Sequence, residues 1–142
     1  MALVFYDLTH EYIGTMYTIL LVGQNREALS FLENTLKLER DIRVAWAESG
    51  DSAMKKASES VPDLVILDYN LQDMPGLELI QRLMTVNAFI NTVVIGSQPD
   101  KVFHEETEGL GVLAQLPPNP SKETIQNLLV QLRKMPPSVP RP

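Results

Sequence analysis

The chain contains no cysteine, which excludes disulfides, thiolate metal sites and cysteine nucleophiles together. It has no apolar run near the roughly 18 residues needed to span a bilayer. Its start, "MALVFYDLTHEY", lacks the basic flank and small-residue cleavage site of a signal peptide, so no membrane contact and a cytoplasmic location are expected. Positive charge is scarce too: 12 Lys and Arg stand against 18 Asp and Glu, a net charge of −6, and the basic residues are scattered. Phosphate contacts need clustered Lys and Arg, so direct nucleic-acid binding is not expected. Histidine is limited to His10 and His104. His104-Glu105-Glu106 invites a metal reading, but HExxH needs a second histidine where Glu108 stands, and a solvated acidic helix face is the better account. His10 beside Glu11 reads as a surface residue, and neither histidine is placed near a serine for nucleophilic catalysis. "GQN" at 23–25 is not a GxGxxG phosphate loop.

What remains is an alternating chain of one-domain size. Short apolar runs at 18–22, 42–47, 64–68, 92–96 and 112–116 read as strands. Between and after them the spacing of apolar residues predicts helices over 26–38, 50–60, 76–86, 101–109 and 121–134. Pro62 ends the second helix and Ser121 is placed to cap the last. Five strands alternating with five helices predict an α/β fold, a doubly wound five-stranded parallel sheet covered on both faces. In such sheets functional residues gather beyond the carboxyl ends of the strands, at the topological switch point. Gly23-Gln24, Asp68, Ser97 and Pro117-Pro118 would all lie around that one crevice.

"VPDLVILDYNLQDMPGLELI" (61–80), "VVIGS" (93–97) and "GVLAQLPP" (111–118) carry a resemblance to a known family. An aspartate ending a "PDLVILD" strand, with a Met-Pro-Gly turn reaching Gly76 eight residues on, resembles the phosphoacceptor segment of the response regulator receiver domain of two-component signalling. The resemblance implies the flavodoxin-like receiver fold over residues 18–134, with 1–17 an N-terminal extension and 135–142 a proline-rich tail or linker. The apolar "ALVFY" with Tyr12-Ile13 is expected to pack on the domain or on a neighbour.

The resemblance also implies residue roles. Asp68 matches the phosphoacceptor, Asn70 the position whose carbonyl reaches a Mg²⁺ ion, and Ser97 the switch hydroxyl. The family's acidic metal-holding pair falls on Gly23 and Gln24, its lysine on Pro118 or Asn119, and its switch aromatic on Gln115. Mg²⁺ normally needs carboxylates or substrate phosphates, and phosphoryl transfer to a carboxylate depends on cations to absorb charge. Asp68 and Asn70 are therefore weak metal candidates, and the expectation is a degenerate pseudo-receiver without cofactor that is not an enzyme. It would act as a phosphorylation-independent module for protein interaction or dimerisation, using the fourth-helix, fifth-strand and fifth-helix face. The alternative is a working phosphoacceptor, with Asp68 phosphorylated by a histidine kinase through an unusual Mg²⁺ site. A third reading is a small-molecule sensor using the vacated crevice, where Gln24 and Asn25 would meet the ligand. Expected partners are proteins: a histidine kinase, an output domain or a second copy. A plainer reading also stands: Asp68 accepts backbone or Ser97 hydrogen bonds, and Ser97 caps the next turn.

Overall fold

The computed structural model of the protein describes residues 16–136, together with the backbone of two short strands, β1 (Phe5–Tyr6) and β2 (Tyr12–Ile13), which pair antiparallel. The packing expected of the remaining N-terminal residues, like His10 and the end of the tail, lies outside the described residues. The domain itself runs β3 (Tyr17–Val22), α1 (Ser30–Lys37), β4 (Ile42–Ala47), α2 (Gly50–Glu59), β5 (Leu64–Asp68), α3 (Gly76–Val86), β6 (Asn91–Ile95), α4 (Asp100–Thr107), β7 (Val112–Leu116) and α5 (Lys122–Arg133). The five long strands form one parallel sheet in the order β4-β3-β5-β6-β7. The order reverses between β3 and β5, which opens the expected crevice at their carboxyl ends.

Alternation along each strand sends neighbours to opposite faces, and here both faces are apolar. Ile19, Leu21, Leu64, Ile66, Val93 and Ile95 pack with Leu32 and Leu36 of α1 and Ile125, Leu129 and Leu132 of α5. Leu20, Val22, Val65, Leu67 and Val94 pack on the other face with Ala53 and Ala57 of α2, Leu79, Ile80 and Leu83 of α3, and Phe103 of α4. This is why the strands read as continuous apolar runs.

Two details differ from the expectation. α1 begins at Ser30 instead of Arg26, because the Asn25 side chain accepts the Ala28 N–H (3.1 Å) and tight turns carry Leu29 and Ser30 back to Arg26 and Glu27. Tyr17 belongs to β3 and is wholly buried; its hydroxyl donates to the carbonyls of Arg133 (3.3 Å) and Met135 (3.1 Å) at the end of α5. Between β6 and β7 the register slips by one residue: Thr92 pairs with Val112 but Val93 with Ala114. The slip makes Leu113 a bulge and reverses the faces of the residues after it.

Candidate functional site

Asp68 stands where β5 runs out. Its own carbonyl and that of Tyr69 lie against Gly76, where a Cβ would come within 2.5 and 2.9 Å of them, and Gly76 N–H donates to the Tyr69 carbonyl at 2.8 Å. Glycine at the start of α3 is thus needed for the close return of the β5–α3 loop. That loop is anchored again by Asp73, whose two carboxylate oxygens accept the Gly50 and Asp51 N–H groups, both at 2.9 Å. Ser49 takes the Ser52 N–H at 3.1 Å, so the first amides of α2 are all served. These backbone bonds hold the Asp73 carboxyl below the ordinary carboxylate value.

The Asp68 side chain has no such support. It is half-buried, and no hydrogen-bond donor among the described residues serves it. Burial alone acts on it and pushes its pKa up. The carboxyl is turned toward the end of β3: a Cβ on Gly23 would stand 2.5 Å from Asp68 Oδ2. The volume in which a side chain at position 23 would begin is therefore filled by Asp68 itself.

The other expected positions surround it. Gln24, Asn70 and Ser97 are exposed, and Asn70 faces Pro75 across an isolated bridge. Ser97 neither bonds Asp68 nor caps α4, whose N-cap is Pro99 two residues further on. Pro118 and Asn119 line a cavity of about 160 Å³ with Ala28, Leu29, Phe31 and Pro120, so the place of the missing lysine is a largely apolar wall. His104, Glu105 and Glu108 line an open groove at the α4–β7 turn, and among the described residues no group of three His, Asp or Glu side chains could hold a metal ion.

One cation near the crevice was not singled out in the sequence. Arg26 follows the Gly23-Gln24 turn, but its guanidinium is committed to Glu33 (Nε–Oε1 3.1 Å, Nη2–Oε2 2.7 Å) and lies 5.4 Å from the Trp46 ring centroid. Lys37 closes on the same carboxylate at 2.9 Å. The two cations hold buried Glu33 at a pKa of about 2. The crevice is left with a carboxylate, the neutral amides of Gln24 and Asn70, a hydroxyl and backbone carbonyls.

Sequence reasoning marked Gln115 only as the place of a missing aromatic, and it passed over Tyr69. The Gln115 carboxamide accepts the Gln98 N–H and donates to the Gln98 carbonyl, both at 3.0 Å. The Tyr69 hydroxyl donates to Glu106 of α4, which raises the phenol's pKa. Neither partner lies near in sequence, so no local pattern marks the pairs.

A family model described as the response regulator receiver domain matches residues 19–129. The virulence-factor transcription regulator BvgA of Bordetella pertussis is 29% identical over 89 residues, 62% of this chain and 43% of that protein. A protein-glutamate methylesterase/protein-glutamine glutaminase of Syntrophus aciditrophicus is 31% identical over 104 residues, 69% of this chain and 30% of that one. The chain thus spans less than half the length of the curated relatives it matches. Among solved structures, the chemotaxis response regulator CheY4 of Vibrio cholerae superposes with a TM-score of 0.73 at 22% identity, covering 83% of this chain and 99% of that one.

Proposed function

Because this chain belongs to the response regulator receiver family and is a receiver domain of two-component signalling, we propose that it transmits its signal without being phosphorylated, as a protein-interaction module. The observation that carries this reading is the Asp68 carboxyl lying over Gly23. A receiver that accepts a phosphoryl group must bring two negative groups together, and preorganised cations make that possible. Here the single carboxylate faces a glycine, Gln24 is neutral, and the wall at Pro118-Asn119 offers no positive charge. Mg²⁺ demands near-octahedral oxygen ligands and usually one or two carboxylates beside phosphate. One inward-turned carboxylate with Asn70 and Gln24 does not fit that demand, and no chemistry is routed through a metal here.

On this reading the chain has no catalytic activity of its own, and the similar methylesterase matches it over only 30% of that protein's length. It acts in the cytoplasm on protein partners: a histidine kinase, an output domain or a second copy. Among the described residues no helix is long and apolar enough to cross a membrane, and the negative net charge argues against nucleic acid as a direct partner.

Intact mass after incubation with acetyl phosphate and Mg²⁺, run beside Asp68→Ala, tests the proposal. No adduct is expected on either protein. An adduct of one phosphoryl group that is missing from Asp68→Ala would establish a working phosphoacceptor and overturn it.

A further inference from the structure

The β6–α4 loop, residues 96–99, carries Ser97 and leads directly into α4. The bulge at Leu113 determines what touches it. Without the slip, Ala114 would stand opposite Val94; with it, Gln115 does, on the sheet face covered by α2, α3 and α4. Two residues along that face comes Gly96, and a Cβ there would stand 3.1 Å from Gln115 Oε1 and 3.3 Å from the Tyr69 Cβ. The absent side chain makes room for the carboxamide to reach past Gly96 to the next residue but one. There it engages both main-chain polar groups of Gln98, N–H to Oε1 and C=O to Nε2.

A side chain that satisfies the donor and the acceptor of one loop residue restrains the peptide units on both sides of it. Pro99 follows with φ fixed at −56°, and Phe103 N–H returns to the Pro99 carbonyl at 2.9 Å. At its other end α4 is tied to the β5–α3 loop by Glu106 and Tyr69. The helix is thus attached at both ends, through a side chain of β7 and one of the β5–α3 loop, and neither attachment uses the Asp68 side chain.

We infer that Gln115 is a conformational lock: its carboxamide, delivered by the β7 bulge, holds residues 96–99 and the start of α4 in one arrangement independently of the state of Asp68. The lock deepens the reading above and rests on it for its signalling meaning, since a partner would then meet the same α4 surface at all times. It occupies the position where the family resemblance places an aromatic switch.

Amide hydrogen exchange by NMR on the full chain, without any phosphoryl donor, tests it. In the wild type the Gln98 amide is expected to be protected. In Gln115→Met, which keeps the side-chain length and removes both polar atoms, that amide is expected to exchange at least about tenfold faster, with Phe103 following. The β5 amides should be unchanged. A Gln98 amide that exchanges at the same rate in both proteins overturns the lock. Should Gln115→Met not fold, as judged by its β5 amides, Gln115→Leu provides the same comparison. The acetyl phosphate experiment separates the two claims: an adduct with Gln98 still protected sinks phosphorylation independence and leaves the lock. No adduct with Gln98 unprotected does the reverse.

Discussion

Asp68 and Gly23 share a volume that holds one side chain, and the aspartate has it without a hydrogen bond or a counter-charge from any described residue. Its folded-state pKa is raised by burial, so its ionised form opposes folding. That opposition is absent below the unfolded value near 4 and sets in as pH rises through the folded value. Asp68→Asn is therefore expected to be more stable than the wild type at pH 7, though solvent screens the half-exposed carboxyl and holds the gain to less than about 1 kcal/mol, or less than about 4 °C in Tm. The gain should shrink toward zero below about pH 4; thermal melts of both proteins across pH 3–8 give the comparison, and an unchanged or lower Tm at pH 7 would refute the account. Asp68, Gly23 and the neutral positions 24 and 118 were legible in the sequence because the strand-end pattern fixes where such residues must fall. The turn of the Asp68 carboxyl toward Gly23 was not legible, since it depends on empty space and not on residue type. Gln115 was readable as a missing aromatic but not as a partner of Gln98, because the bulge that aims it leaves no mark in "VLAQL".

Helices and strands came through in the sequence wherever burial imposed a period, as along Leu79, Ile80 and Leu83 of α3. The start of α1 did not, because Leu29 has helical spacing while Asn25 and two tight turns take the amides ahead of it. Caps from the same segment were legible: Ser121 accepts the Thr124 N–H at 3.1 Å as expected. The cap that α2 receives from Asp73, 22 and 23 residues away, has no local signature. Asp73→Ala removes the acceptor of two N-terminal amides and a negative charge at the positive end of the helix dipole. A loss of about 1 kcal/mol is expected, measured as a shift in urea midpoint. Because the same residue ties the β5–α3 loop to α2, faster exchange should appear at Gly50 and Asp51 before it appears in β5. A uniform change would instead mean that Asp73 acts through global stability alone.

For the whole molecule, the parallel sheet and its two-sided core followed from the alternation of apolar runs, and what closes the domain did not. Arg133, mostly buried, joins the end of α5 to Asp41 and Glu39 just before β4, with contacts of 2.8 Å. It holds the Asp41 carboxyl below its ordinary pKa. Arg133→Met is expected to lower stability by about 1–3 kcal/mol, since it leaves two carboxylates together without their cation. Arg82→Met, which removes an exposed pair with Glu78, should change it by less than about 0.5 kcal/mol. Equal effects in a urea titration would show that burial is not what makes the Arg133 contact matter. Beside Arg133, the Tyr17 hydroxyl bonds the carbonyls of Arg133 and Met135 across 116 and 118 residues of chain. A ribosome releases Tyr17 early and Met135 more than a hundred residues later, at about 5–20 residues per second. For several seconds the nascent chain holds a central strand whose closing contacts are unmade or still in the exit tunnel, so α5 can close the domain only after translation has passed it.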